Sequence, residues 1–306
     1  MKQHWFCLAA FLLCAGSAGA QQARNSHLLS ADTLTKLSPH VWMITGSPNI
    51  AIVVGSHATL VVDNGLGTKN GAMIAQTALR LSPKGTKLYL TTTHYHAEHA
   101  TGDGGFPPGT VLIRPKVQQA ELEAEGQKLI DLFASRSEED RMLLSDVRYL
   151  KPAILFDDRY ELDLGDVRVR LLWFGPAHTK GDELVMVEEP DNVLISGDVV
   201  QNKTGPYFYC DNCTPASWAA VTDKIATQLH PAIVMPDHSP PGDASLIREE
   251  HDFMAGLAAR ITALKKEGKS AEEAGKLLTA EMTARYPGWS GLARISLGVE
   301  HAYREN

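Results

Sequence analysis

Two packed β-sheets with helices outside, a mixed α/β (α+β) architecture, is the fold class that the sequence predicts, on three observations. Short β-rich runs recur along the chain and alternate with stretches of helical spacing in each half. The halves echo one another, since TLVVDNG in the first and NVLISGDVV in the second each end a strand on an Asp, although a strand closing on Asp and Gly is also a common turn. The chain has 306 residues, 44% of them hydrophobic. At that length folding buries roughly three quarters of the unfolded surface, so a core needs neither disulfides nor a structural metal.

Residues 1–20 read as a secretory signal: Lys2 opens it, an apolar run extends from Trp5 to Leu13, and Ala18-Gly19-Ala20 supplies a small-residue cleavage site after Ala20. The run is too short to span a bilayer, which takes about 20 apolar residues, and Leu13 before Cys14 is a poor lipoprotein processing site. The mature chain is therefore expected to be periplasmic or secreted, without a membrane anchor. Cys7 and Cys14 leave with the signal.

From Val41, the runs VWMIT, IAIVVG and TLVVDNG are separated by turns at Gly46-Ser47-Pro48 and Gly55-Ser56, which predicts an antiparallel meander. Residues 70–82 have helical spacing, and KLYLTTT is a short strand that delivers the chain to a histidine cluster. TVLIRP is another strand, and the charged stretch from Val117 to Val147 reads as one or two helices, either packing on the body or serving as a lid. Strands follow at AILFD, RYELDLGDVRVRLLWF, ELVMVEE, NVLISGDVV and AIVMP. Two helices, HDFMAGLAARITALKKEG and SAEEAGKLLTAEMTARY, close the chain. This divides the mature protein into a main domain, residues 21–245, and a helical extension, residues 246–306, packed on the same domain.

With 29 basic against 36 acidic side chains, a net charge of −7 and no cluster of Lys and Arg, the chain has no electrostatic footprint for nucleic acid or anionic lipid. A small-molecule substrate is the expected partner, and an anionic one would need a local positive site such as a metal. The chemistry begins at Thr93-His94-Tyr95-His96-Ala97-Glu98-His99. In an extended segment alternate side chains share a face, so His94, His96 and Glu98 are expected to converge while His99 turns aside. Imidazoles suit zinc, and also iron or copper, and a neighbouring carboxylate compensates charge. Repeated His or Cys tracts of a metal-buffering protein are absent.

Three distant segments complete the set, each at a predicted strand end: Gly175-Pro176-Ala177-His178-Thr179-Lys180-Gly181-Asp182, then Ser196-Gly197-Asp198, then Pro236-Asp237-His238. With the Asp63 turn, this ordered set resembles the metallo-β-lactamase superfamily, from about Val41 to Pro241. The resemblance implies a four-layered αββα sandwich, here with C-terminal helices added, and a dinuclear metal site at one edge between the sheets. It implies that His94, His96 and His178 hold the first metal, and that Glu98, His99 and His238 hold the second, with Asp198 bridging. Asp63 would support the ligands through hydrogen bonds, or act as a plain turn residue. The chain departs from the family pattern at Glu98, usually Asp, so that either the backbone adjusts or the second metal is weak. Asp237 replaces the usual Gly before the last histidine and adds negative charge.

Zinc, two ions, is the implied cofactor, with iron or manganese as alternatives. Such a pair holds a bridging hydroxide near neutral pH and polarises a carbonyl or phosphoryl oxygen, with Glu98 or Asp198 orienting the water and carrying its proton. The expected activity is hydrolysis of a small ester, thioester, lactone, amide or phosphodiester. A β-lactamase-like antibiotic hydrolase, a non-hydrolytic iron enzyme and an inactive binding protein are the alternatives. In true β-lactamases the position matching Asp198 looks to be Cys or Ser, and an inactive protein would usually have lost ligands that this chain retains. Cys210 and Cys213, the remaining cysteines, are expected to form a disulfide in an oxidising compartment. Tyr207, Phe208 and Tyr209 either line the substrate pocket or form a strand packed on core. Lys203 either pairs with an anionic substrate or oxyanion, or faces solvent.

Overall fold

Residues 26–304 are described by the computed structural model, so the expected signal segment lies outside the described residues. Strands β1 (Leu34–Lys36), β2 (Val41–Ile44), β3 (Ile50–Val54) and β4 (Ala58–Val62) pair in sequence as an antiparallel meander. Helix α1 (Gly67–Leu81) then crosses to β5 (Lys87–Thr91), which lies parallel to β4, and β6 (Val111–Pro115) and β7 (Ile154–Phe156) continue the parallel side of a seven-stranded sheet. The second sheet has five strands in the order β12-β11-β10-β9-β8. Its hairpins β8 (Arg159–Asp163), β9 (Arg168–Trp173), β10 (Glu183–Val187) and β11 (Val193–Gly197) are antiparallel, and β12 (Ile233–Pro236) adds in parallel to β11.

Side-chain alternation sorts each strand between two apolar layers. On β3, Ala51 and Val53 face the second sheet, meeting Val169, Leu171, Val185, Val187 and Ile195, while Ile50 and Ile52 face outward onto Ile74, Ala75 and Ala78 of α1. Both faces of this strand are buried, which accounts for the unbroken apolar run IAIVV. The outer face of the second sheet packs against α5 (Pro215–Gln228), α6 (Ser245–Lys266), α7 (Ala271–Arg285) and α8 (Ile295–Arg304), through Trp218, Ile225, Phe253, Leu257, Leu278 and Val299. The order of layers is helix, sheet, sheet, helix. The remaining helices, α2 (Ala97–Ala100), α3 (Lys116–Ala134) and α4 (Glu138–Leu143), cluster at one edge around Tyr95, Leu122 and Phe133.

Differences from the sequence reading are local. Helix α5 was not foreseen, although Thr214 and Ser217 form a capping box with Pro215 at its first position. Strand β1 and helix α8 were also not foreseen. The stretch from Val117 to Val147 becomes two helices, and the C-terminal helices share one continuous core with the second sheet. Among the described residues no helix is long and apolar enough to cross a membrane.

Candidate metal centre

The parallel strands β4 and β5 end side by side, and the site is assembled at that edge. Asp63 follows β4 in a left-handed conformation with φ of 68°, and its Oδ1 accepts a hydrogen bond from the backbone N–H of Thr93 at 2.7 Å. The chain after β5 is not extended as far as Glu98. His96 is the last extended residue, with ψ of 153°, and α2 begins at Ala97. The expectation that Glu98 shares a face with His94 and His96 is therefore corrected: the helical turn carries Glu98 and His99 together toward His238, while His94 and His96 turn toward His178. The same turn gives the longer Glu98 side chain its reach.

His178 comes from the loop between β9 and β10, which is clamped on both sides. Asp182 accepts from the N–H groups of Ala177 and Thr179, and Glu121 of α3 accepts from those of Lys180 and Gly181. The Nδ1–H of His178 donates to the carbonyl of Tyr207 at 2.6 Å, which fixes the tautomer and leaves Nε2 facing the site. Asp198 follows β11 after Gly197. That glycine has φ of 57°, and a Cβ on it would lie 2.8 Å from Thr93, so only glycine lets the two strand ends meet here. His238 follows β12 in a turn that the buried Asn49 holds by donating to the carbonyls of Pro236 and Ser239.

Two clusters result, His94 with His96 and His178, and Glu98 with His99 and His238, the ligand atoms of each lying within 4.8 Å of one another. His178 Nε2 is 3.4 Å from His96 Nδ1, and His99 Nε2 is 3.2 Å from His238 Nε2. Two nitrogens bound to one tetrahedral ion at zinc-like bond lengths are separated by roughly 3.3 Å, so both pairs fit a shared cation. Asp198 faces both clusters, with Oδ2 3.3 Å from His178 Nε2 and Oδ1 3.6 Å from His238 Nε2. Buried polar atoms normally have partners, yet His94 Nε2 and Glu98 Oε2 have none. The donor set and its orphaned atoms fit a pair of divalent ions.

The rear of the site is a hydrogen-bond network. His99 Nδ1 lies 2.9 Å from Asp63 Oδ2 and 3.4 Å from Asp237 Oδ2, and the Thr93 hydroxyl reaches both carboxylates. Asp63 and Asp237 thus both contact His99 and Thr93 at the rear of the site. A third grouping, His94 with His99 and Asp237, belongs to this rear network, because His99 Nδ1 is already engaged there. Burial, followed by neighbouring imidazoles, holds His94 and His96 well below the usual histidine range, the neutral state that a metal ligand requires. Burial also opposes charge on His99, but the Asp63 and Asp237 carboxylates outweigh it and hold the group well above that range. For Asp198 burial opposes ionisation, and His238 and His178 overcome it and lower its pKa. The second cluster thus attracts positive charge.

In front of the ligands lies a cavity of about 660 Å³, reached by His96, Glu98, His178, Asp198 and His238. Tyr207 and Tyr209 line it, with rings 4.3 Å apart, and Tyr209 contacts His96 at 4.0 Å. Phe208 between them points into the core against Trp218, and residues 207–209 form no strand of either sheet, so the segment divides its side chains between pocket and core. The Cys210–Cys213 disulfide follows directly. Lys203 is exposed and does not line the cavity; its carbonyl accepts from the N–H of Ser290. The sequence reading missed Arg136 and Arg294 in the cavity wall. It also missed Gln201, whose Nε2–H donates to Asp198 at 2.8 Å.

Sandwich and edge site together define a metallo-β-lactamase-fold protein. The chain is similar in structure to the stereoselective inverting sec-alkylsulfatase Pisa1 from Pseudomonas sp., with a TM-score of 0.67 and 13% identity over 89% of this chain and 50% of that one. It spans half the length of that sulfatase. It is also similar to a metallo-β-lactamase from Pontibacter korlensis, with a TM-score of 0.58 and 16% identity over 74% of this chain and 99% of that one. A metallo-β-lactamase from Erythrobacter litoralis gives a TM-score of 0.57 at 17% identity, over 73% of this chain and 96% of its own. No protein-family model and no curated protein sequence matches the chain.

Proposed function

We propose that the protein is an exported, zinc-dependent hydrolase of small esters, thioesters, lactones, amides or phosphodiesters. The observation that carries this reading is the placement of Asp198 between two clusters whose nitrogens are spaced for shared cations. His94, His96 and His178 would hold one ion and Glu98, His99 and His238 the other, with Asp198 shared. When bound, two such ions supply Lewis acidity and a water ionisable near neutral pH.

The residues of the chain then divide the remaining work. Asp198, held by Gln201, and Glu98, whose Oε2 has no other partner, are the carboxylates able to orient a nucleophilic water and take its proton. Tyr207 and Tyr209 offer ring faces to an organic substituent and limit the water that reaches it. The pairing of Cys210 with Cys213 supports maturation in an oxidising compartment, with the mature chain starting at Gln21.

Metal analysis of the purified protein, followed by a panel of ester, thioester, lactone, phosphodiester and β-lactam substrates, tests the proposal. Because the likeness to the sulfatase extends over 89% of the chain, sulfate esters belong in the same panel. The expected result is two metals per chain and turnover that chelation abolishes. Turnover that survives complete chelation would overturn the reading.

A further inference from the structure

The chain is acidic overall, yet none of the carboxylates that reach the cavity pairs with an arginine. Glu98 and Asp198 face the histidine clusters, and Asp140 is bonded to His27 Nδ1 at 2.7 Å. Two arginines stand in the same wall. Arg136 lies between α3 and α4 with its guanidinium 3.6 Å from the centre of the Phe133 ring. Arg294 lies just before α8 with its guanidinium 5.4 Å from the centre of the Tyr207 ring. Among the described residues neither guanidinium has a carboxylate or any other hydrogen-bond partner. Each is placed by stacking on a ring while its N–H donors stay free, an arrangement suited to bidentate capture of an oxyanion.

Their position relative to the clusters defines what could bind. Tyr209 touches His96, Tyr207 stacks on Tyr209, and Arg294 lies over Tyr207, so the guanidinium is two rings removed from the nearest cluster. An anion held there is separate from the bond presented to the metals. Arg294 and the neighbouring Ser290 and Gly291 come from the C-terminal extension, and Ser290 is tied to the main domain by its bridge to Thr204.

We propose that Arg136 and Arg294 form an anion subsite, and that the substrate is a small organic molecule carrying a carboxylate, sulfonate or sulfate group separated from its scissile bond by an apolar or aromatic spacer. The inference rests on the hydrolase reading for the identity of the cleaved bond only. The spacer lies along Tyr207 and Tyr209, the oxyanion meets the two guanidinium groups, and the cavity volume of about 660 Å³ suits a ligand of that size.

Calorimetry on the full mature, metal-loaded protein, with 4-phenylbutyrate and its neutral analogue 4-phenylbutyramide as probes, tests the subsite. The metals attract the carboxylate equally in all variants, so the change on substitution reads the arginines. The wild type should prefer the carboxylate by about tenfold or more, the Arg136→Gln and Arg294→Gln double variant should lose about that factor, and lysine at either position should recover part of it. Arg304→Gln, which removes a charge that pairs with Asp211 outside the cavity, should keep the preference. A wild type without preference, whether both probes bind or neither does, overturns the proposal, as does a double variant that keeps the full preference. The ratio of kcat/KM for 4-nitrophenyl hydrogen suberate, whose carboxylate is six methylenes from the ester, and 4-nitrophenyl octanoate should fall in parallel. If chelation leaves hydrolysis of both esters intact, the hydrolase reading fails while the calorimetry still decides the subsite.

Discussion

Glu250 sits on α6 with 1% of its surface exposed, and its nearest polar partner is the N–H of Gln201 at 3.4 Å from Oε2. Burial pushes its carboxyl up to about 8 from an ordinary value of 4.5. Below the lower value both the folded and the unfolded chain hold the proton, and stability carries no penalty. Between the two values only the folded chain keeps it, so stability falls as pH rises, by about 1.4 kcal/mol per unit. Above about 8 the full cost of burying the carboxylate is felt, on the order of 5 kcal/mol. Glu250→Gln keeps an acceptor for Gln201 and removes the titration. Urea unfolding of the two proteins should give stabilities within about 1 kcal/mol at pH 5 and a variant more stable by several kcal/mol at pH 9. Other buried acids with raised values, Asp182 at about 8 and Glu121 at about 7, tilt the curve of both proteins and cancel in the difference. A difference that is flat from pH 5 to pH 9 would refute the burial argument.

Four further outcomes bear on the site. Asp198→Ala should leave one metal bound and lower turnover on the order of a hundredfold or more; stoichiometry and rate measured on one preparation check it, and two metals with full activity would show that the carboxylate does not bridge. His96→Ala should strip the first metal and abolish turnover, whereas Glu98→Asp should keep or tighten the second, as titration with a competing chelator would show. Replacing Cys210 and Cys213 together by serine should weaken the first metal by roughly tenfold without unfolding the chain, because the pair closes the turn next to the Tyr207 carbonyl that orients His178; unchanged affinity in the same chelator competition would count against that link.

The architecture was legible because both faces of the central strands are apolar and each run is bounded by turn residues, as in IAIVVG and TLVVDNG. The residues of the two clusters and Asp198 were legible because His94, His96, Glu98 and His99 fall within six positions, and His178, Asp198 and His238 each follow a readable strand. Their grouping was not readable from alternation alone, since the helical turn at Ala97 breaks the two-residue period. Arg136 and Arg294 were invisible for a different reason. They stand at helix ends with no motif around them, and only the folding of the last helices onto the second sheet brings the two to one cavity. Gln201 was hidden in the same way, three residues beyond Asp198 and bonded back to it.

The tie between Thr204 and Ser290, reinforced by the Gly205 N–H donating to the Ser290 carbonyl at 2.7 Å, fastens the end of the chain beside the loop that leaves Asp198. Asp198 and the six side chains of the two clusters lie before residue 240, whereas Ser290, Gly291 and Arg294 belong to the final stretch. This wall of the cavity is therefore encoded far from the two clusters. Libraries at the exposed positions Ser290 and Arg294 would alter that wall while leaving the buried Ile295, Val299 and His301 and every side chain of the two clusters untouched, making these two positions the natural place for redesign of selectivity.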